Sequence, residues 1–330
     1  MVQIYQDDIL YKLRNLYPRQ RMPLLYSVNH SYGWRIISEN EEHTKSICSE
    51  HFNIIKDGEN ENYLTCLAIS ENIGMVVIGS GSKDGLLYFI KDMSAIKDDF
   101  QSGTRFELIH KEVLHLPIYS LDWVGSYLLV GTNQGIIRVY KVELEDDDTL
   151  KAFTMIGQYT NPLPKPSLYS PSYNINTHVK AVEFVPNYNS AIPNQFLSTT
   201  ANRLIIWKLQ NEEEPLRSFE PSQFLLNCAS WSPNDPQTLV VCGGYDKRLS
   251  IIDTRTSSTE SPDGLVWSAE NAHDRPITDA KFNPFIPYWL ASAGEDAIVN
   301  IWDIRATYHA PVAKIDGNDG IVTSICWSNI

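Results

Sequence analysis

The chain has 330 residues, 43% hydrophobic and 20% charged, enough to bury a large core as one big all-β domain or two ordinary ones. A net charge of −13 argues against non-specific nucleic-acid binding, which depends on basic patches, and makes basic proteins or basic segments the natural partners. No apolar run approaches the roughly 18 residues of a membrane span, and acids stand at the N-terminus where a signal or transit peptide carries bases.

In chain order, residues 4–17 place Ile9, Leu10, Leu13, Leu16 and Tyr17 at helical spacing with Pro18 as a stop. This predicts a short N-terminal helix in an arm covering 1–22, packed on the domain or docking a partner. Apolar runs at 23–28, 34–39 and 51–56 read as strands. From residue 63 a pattern recurs, an apolar residue followed five positions later by a large anchor. The apolar members are Leu64, Ile118, Val179, Leu226, Ile277 and Val322, and the anchors are Ile69, Trp123, Phe184, Trp231, Phe282 and Trp327. Anchor spacings of 54, 61, 47, 51 and 45 fit a repeat of about 40–45 residues with loop insertions.

Behind each anchor except the last come a second apolar run, a tight turn, a third run such as 135–140 or 298–303, and a fourth strand such as 105–110 or 265–270. Four antiparallel strands per unit, repeated radially, make a propeller blade. Five cysteines (Cys48, Cys66, Cys228, Cys242 and Cys326) show no metal-ligand spacing and read as buried free thiols of a reducing compartment. The expected location is therefore cytoplasmic, with nuclear import by a partner as the alternative.

On these residues the chain resembles the WD40-repeat β-propeller family over roughly 63–330. The fullest copy runs from His273 to Arg305. There the resemblance implies that His273, Ser292, Asp296 and Trp302 form a buried hydrogen-bonded tetrad that ties the strands of one blade together. A buried imidazole and carboxylate are tolerable only if each is satisfied. The same residues mimic a catalytic triad, but their spacing is that of the repeat. Asp84 and Asp246 keep the turn position of Asp296, whereas Gln134 and Ala201 replace it and Ser222 stands where His273 would align. Most blades are thus expected to rely on apolar packing.

The expected fold is an all-β, WD40-type β-propeller of six blades, with seven as the alternative, each of four antiparallel strands, in a single domain over 23–330. The blades fall near 63–112, 118–160, 179–220, 226–270 and 277–316. The last is begun by 321–330 and completed by strands within 23–56; a truncated seven-bladed protein, or a partner filling the gap, is the other reading.

Function then falls to the loops. Third-to-fourth-strand connections carry Asp98, Asp99, Asp146, Asp147, Asp148, Glu212–Glu214 and the 257–263 segment, an acidic rim that is either merely solvated or steers a basic partner. The insertion at 161–177, with Tyr169 and Tyr173 among its prolines, reads either as an extended binding segment or as a plain loop. Two consecutive blades end in Asp-x-Arg, at Asp253 and Arg255 and at Asp303 and Arg305. This resembles the paired motif of WD-repeat substrate receptors of cullin-RING ubiquitin ligases; alternatively each Arg pairs with a nearby carboxylate at a strand end. Residues 204–210, 231–233, 253–255, 270–273 and 282–292 also resemble the WD-repeat partners of the EARP and GARP tethering complexes, implying a role in endosomal traffic.

Catalytic motifs are missing: there is no P-loop, G-x-S-x-G, HExxH or paired-Cys metal site. The channel-lining positions read Cys66, Ser120, Ala181, Cys228, Asp279 and Ser324, and one lone Asp is not a catalytic constellation. The chain is expected to be a non-catalytic interaction scaffold, a subunit of a hetero-complex without cofactor or metal. The ubiquitin-ligase receptor is the alternative reading, and a propeller enzyme the weakest.

Overall fold

A computed structural model describes residues 25–29, 33–37, 64–70, 75–92, 106–145, 150–162, 177–186, 193–256, 264–306, 310–316, 318 and 320–327. The helix expected at 4–17, the strand expected at 51–56, and Asp98, Asp99, Asp146, Asp147, Asp148, Tyr169 and Tyr173 lie outside the described residues. Every described element is a strand. In chain order these are β1 (Leu25–Asn29) and β2 (Gly33–Ile37), then β3 (Leu64–Ser70), β4 (Met75–Ser80), β5 (Leu86–Asp92) and β6 (Phe106–Val113). Next come β7 (Ile118–Val124), β8 (Tyr127–Thr132), β9 (Ile136–Leu144), β10 (Leu150–Thr160), β11 (Val179–Phe184), β12 (Gln195–Thr200), β13 (Arg203–Lys208) and β14 (Arg217–Phe219). The remainder are β15 (Leu226–Trp231), β16 (Leu239–Gly244), β17 (Leu249–Asp253), β18 (Leu265–Ala269), β19 (Ile277–Phe282), β20 (Trp289–Gly294), β21 (Val299–Asp303), β22 (Ala313–Ile315) and β23 (Val322–Trp327).

These strands form five four-stranded sheets, each made of four consecutive strands, β3–β6 through β19–β22, and one three-stranded sheet in the order β2-β1-β23. In that last sheet β1 runs antiparallel to β23, with Leu25 opposite Trp327 and Tyr26 opposite Cys326. The chain divides into two compact units, one of residues 1–49 with 219–330 and the other of 50–218.

Within the 50–218 unit the inner strands are stitched by side chain to backbone. Thr65 Oγ1 donates to the Ile118 carbonyl at 2.6 Å, and Ser120 Oγ donates to the Val179 carbonyl at 2.8 Å. The other unit repeats the device, with Asn227 Nδ2 donating to the Ile277 carbonyl at 2.9 Å and Thr278 Oγ1 donating to that of Val322. Each bond engages the carbonyl of the first residue of the next inner strand, where the pairing of that strand with its neighbour carries a register shift.

Glycine at one register position lets the next strand approach. A Cβ on Gly131 would lie 2.8 Å from Val179 Cγ1, and one on Gly243 would lie 2.9 Å from Ile277 Cγ2. The apolar members and anchors then pack: Ile118, Val179, Leu226 and Ile277 are buried, as are Trp123, Phe184, Trp231 and Phe282. Aromatic side chains fill the layers between sheets, with Tyr140 stacked on Phe153 at 4.3 Å and Tyr159 edge-on to Trp207 at 5.3 Å.

Two sequence expectations need correction. Ile69, read as a buried anchor, is 54% exposed, and Leu64 is exposed as well. β3 is the first inner strand of its unit, so no earlier inner strand of that unit covers this face. Of the cysteines read as buried, Cys228 and Cys242 are, whereas Cys66 is half-buried and Cys326 is exposed.

Candidate functional site

The turn between β20 and β21 brings His273, Ser292, Asp296 and Trp302 into one hydrogen-bonded chain. Trp302 Nε1–H donates to Ser292 Oγ at 2.9 Å, and Ser292 Oγ lies 2.8 Å from His273 Nε2. His273 Nδ1 lies 3.0 Å from both Asp296 carboxylate oxygens. The carboxylate can only accept, so Nδ1 carries the proton and Nε2 accepts from the serine hydroxyl. Asp296 also accepts from the backbone N–H groups of Asp274 and Ile298, which fixes the turn. Burial pushes the His273 imidazole below its ordinary value against the opposing pull of Asp296, so the contact is a hydrogen bond of a neutral ring rather than an ion pair. The serine hydroxyl is buried and held by Trp302, so the arrangement ties strands together and exposes no nucleophile.

A second polar network stands where apolar packing was expected. Asn161 Oδ1 accepts from Trp207 Nε1 at 3.0 Å and from Ser198 Oγ at 2.9 Å, while its Nδ2 donates to Thr200 Oγ1 at 2.6 Å. Trp207 and Ser198 hold the strand positions of Trp302 and Ser292, since Ser198 faces Ile205 and Ser292 faces Asn300 across equivalent ladders. Asn161 supplies, from the segment leading into the repeat, what His273 supplies in the other. Sequence reading assigned Asn161 to the insertion; the signal available was a Ser and a Trp at the tetrad positions with a short polar side chain upstream.

Each Asp-x-Arg motif closes on itself. Arg255 donates from Nε and Nη2 to Asp253 at 3.0 and 2.7 Å, and Arg305 does the same to Asp303 at the same distances. The Arg255 guanidinium beside Asp253 holds its carboxyl below the usual carboxylate range. Arg305 also lies over the Tyr288 ring, 3.4 Å from its centroid. The guanidinium side chains remain 72% exposed at Arg255 and 55% at Arg305.

Asp279, the one acidic channel position, accepts from Ser324 Oγ at 3.0 Å and from the Ile325 N–H at 2.9 Å. It braces β23 against β19. Of the acidic rim, Glu212–Glu214 are described and exposed, and Glu212 accepts from the Gln158 N–H at 3.3 Å. Among the described residues no group of His, Cys, Asp and Glu could hold a metal ion, and no helix is long and apolar enough to cross a membrane.

The WD40 family, described as WD domain, G-beta repeat, matches residues 213–253 and 267–303, the second match holding the Ser292–Trp302 network. The chain carries WD40 repeats. Its fold class is that of the WD40-type β-propeller. Over 80% of its length it superposes on 68% of a chain in a solved structure titled Crystal Structure of Mitotic Checkpoint Complex, with a TM-score of 0.55 and 16% identity, a likeness of fold alone. The human protein named EARP and GARP complex-interacting protein 1 is 32% identical over 117 residues, 34% of this chain and 28% of that protein. Protein DSE1 of Yarrowia lipolytica is 22% identical over 288 residues, 82% of this chain and 36% of its own length. The matches thus span about a third of the length of these curated relatives.

Proposed function

We propose that this WD40-repeat protein is a non-catalytic interaction scaffold within a multi-subunit complex of endosomal or vesicle traffic, working in the cytoplasm on the surface of endomembranes. The reading rests on one observation, the similarity to proteins named as interacting with the EARP and GARP complexes. Geometry is consistent with it: the polar residues that could mimic a catalytic set are all engaged in holding strands together.

Affinity purification with mass spectrometry tests the proposal, comparing wild type, a deletion of residues 163–176 and an Arg255→Ala/Arg305→Ala variant. The deletion spares Asn161 because its side chain belongs to the core. Recovery of tethering-complex subunits with the wild type is the expected outcome. Their consistent absence, with folded protein recovered, would overturn the trafficking assignment, and an Arg-dependent ubiquitin-ligase adaptor in their place would favour the receptor reading.

A further inference from the structure

In the unit of residues 1–49 and 219–330, the loops leading into β15 and β19 are each hydrogen-bonded to the turn between that repeat's second and third strands. Tyr245 N–H donates to the Leu225 carbonyl at 3.0 Å, and Glu295 N–H donates to the Pro276 carbonyl at 3.0 Å. The two bonds are equivalent, so they align Tyr245 with Glu295 and Phe224 with Arg275. One repeat therefore presents two aromatics where its neighbour presents an arginine and a carboxylate.

Phe224 is 59% exposed and Tyr245 is 48% exposed. The Asn227–Ile277 hydrogen bond fixes the aromatic pair beside the Arg275 loop. The next loop adds Ile321, 43% exposed, and is tied to the β20–β21 turn by Asn318 Nδ2 donating to the Ala297 carbonyl at 3.1 Å. Single exposed apolar residues are ordinary, but two aromatics on adjoining, hydrogen-bonded loops with an arginine on the next have the composition of binding hot spots. None of these side chains serves the core.

We propose that Phe224 and Tyr245, with the carboxylates of Asp274 and Glu295, form a docking surface for a basic segment of a partner protein. This rests on the scaffold reading and specifies where a partner sits and what chemistry it presents. Charge selects the occupant: with Arg248 paired to Glu270, these turns and loops carry Asp246, Asp274, Glu295 and Asp316 against Lys247 and Arg275, on a chain of net charge −13. A guanidinium or ammonium laid on the aromatic faces would gain cation–π attraction while its charge meets the carboxylates.

A fluorescent oligo-arginine peptide titrated into the full chain tests this by anisotropy. Phe224→Ala/Tyr245→Ala is expected to weaken binding about tenfold, and Asp274→Asn/Glu295→Gln to weaken it and flatten its salt dependence. Phe285→Ala, an equally exposed aromatic outside the strip, is the control and should leave affinity unchanged. Equal affinity of the aromatic double variant and wild type, with both folded by circular dichroism, would overturn the proposal. Failure of the wild type to capture tethering subunits would sink the trafficking assignment while leaving this peptide result standing.

Discussion

Nδ1 of His273 sits 3.0 Å from each carboxylate oxygen of Asp296, a side-chain contact that helps to join the loop before β19 to the turn between β20 and β21. Removing either end leaves buried polar atoms unpaired. His273→Ala and Ser292→Ala should each destabilise the protein by about 2 kcal/mol, and the double variant by less than the sum because both break the same chain. Urea unfolding of the four-member cycle measures it; strict additivity would show that the network is not coupled.

Stability should also fall with acid through this histidine. Its folded-state affinity for a proton is depressed by burial, so below the ordinary histidine value of about 6.5 the unfolded chain takes up a proton that the folded chain refuses. The unfolded state then binds more protons, and stability declines as pH drops, by up to about 1.4 kcal/mol per pH unit for one group. Comparing urea midpoints of wild type and His273→Asn between pH 7.5 and 5.5 (roughly one unit either side of an ordinary histidine) isolates the effect. Parallel profiles would refute it.

Asn161 belongs to the core. Asn161→Ala should cost about 2 kcal/mol, since it strands Trp207 Nε1 and the Ser198 hydroxyl in the interior. Differential scanning calorimetry measures the loss, and an unchanged midpoint would show that the asparagine does not hold this network.

Backbone geometry supplies a pair of changes with opposite signs. Ala297 holds φ +64, a left-handed turn position that glycine adopts without strain, so Ala297→Gly should stabilise by about 0.5–1 kcal/mol. Gly243→Ala should destabilise by about 1–3 kcal/mol, because the new methyl would meet Ile277. Chemical denaturation of both variants reads the signs directly.

Arg305 and Arg255 share their carboxylate geometry but not their surroundings. Arg305→Ala also loses the Tyr288 face and should cost about 0.5–1 kcal/mol. Arg255→Ala, which removes a largely exposed guanidinium from Asp253, should cost less. The same loss for both would show that the aromatic contact contributes nothing.

Local patterns carried much of the architecture. The five-residue offset between Ile277 and Phe282, or between Ile118 and Trp123, encodes an inner strand because side-chain alternation is a property of any β backbone. The tetrad was legible through the resemblance to the WD40 repeat, whose spacing its four members match. Asn161 was not, since residues 162–178 separate it from β11 and only the folded chain sets its distance to Trp207. Ile69 failed as an anchor because burial depends on what covers a face, and a strand's own sequence does not record that.

By itself, then, the sequence determined strand periodicity and turn positions, which are short-range consequences of backbone geometry, while the tetrad was implied by the resemblance to the WD40 repeat. Only the tertiary structure decided that Asp253 and Asp303 hold their own arginines, that an asparagine replaces a histidine in a second network, and that the turn of Tyr245 is bonded to the loop of Phe224. The first is a choice among rotamers that spacing leaves open, and the others join residues far apart along the chain, up to 46 positions for Asn161 and Trp207, where closeness is fixed by packing.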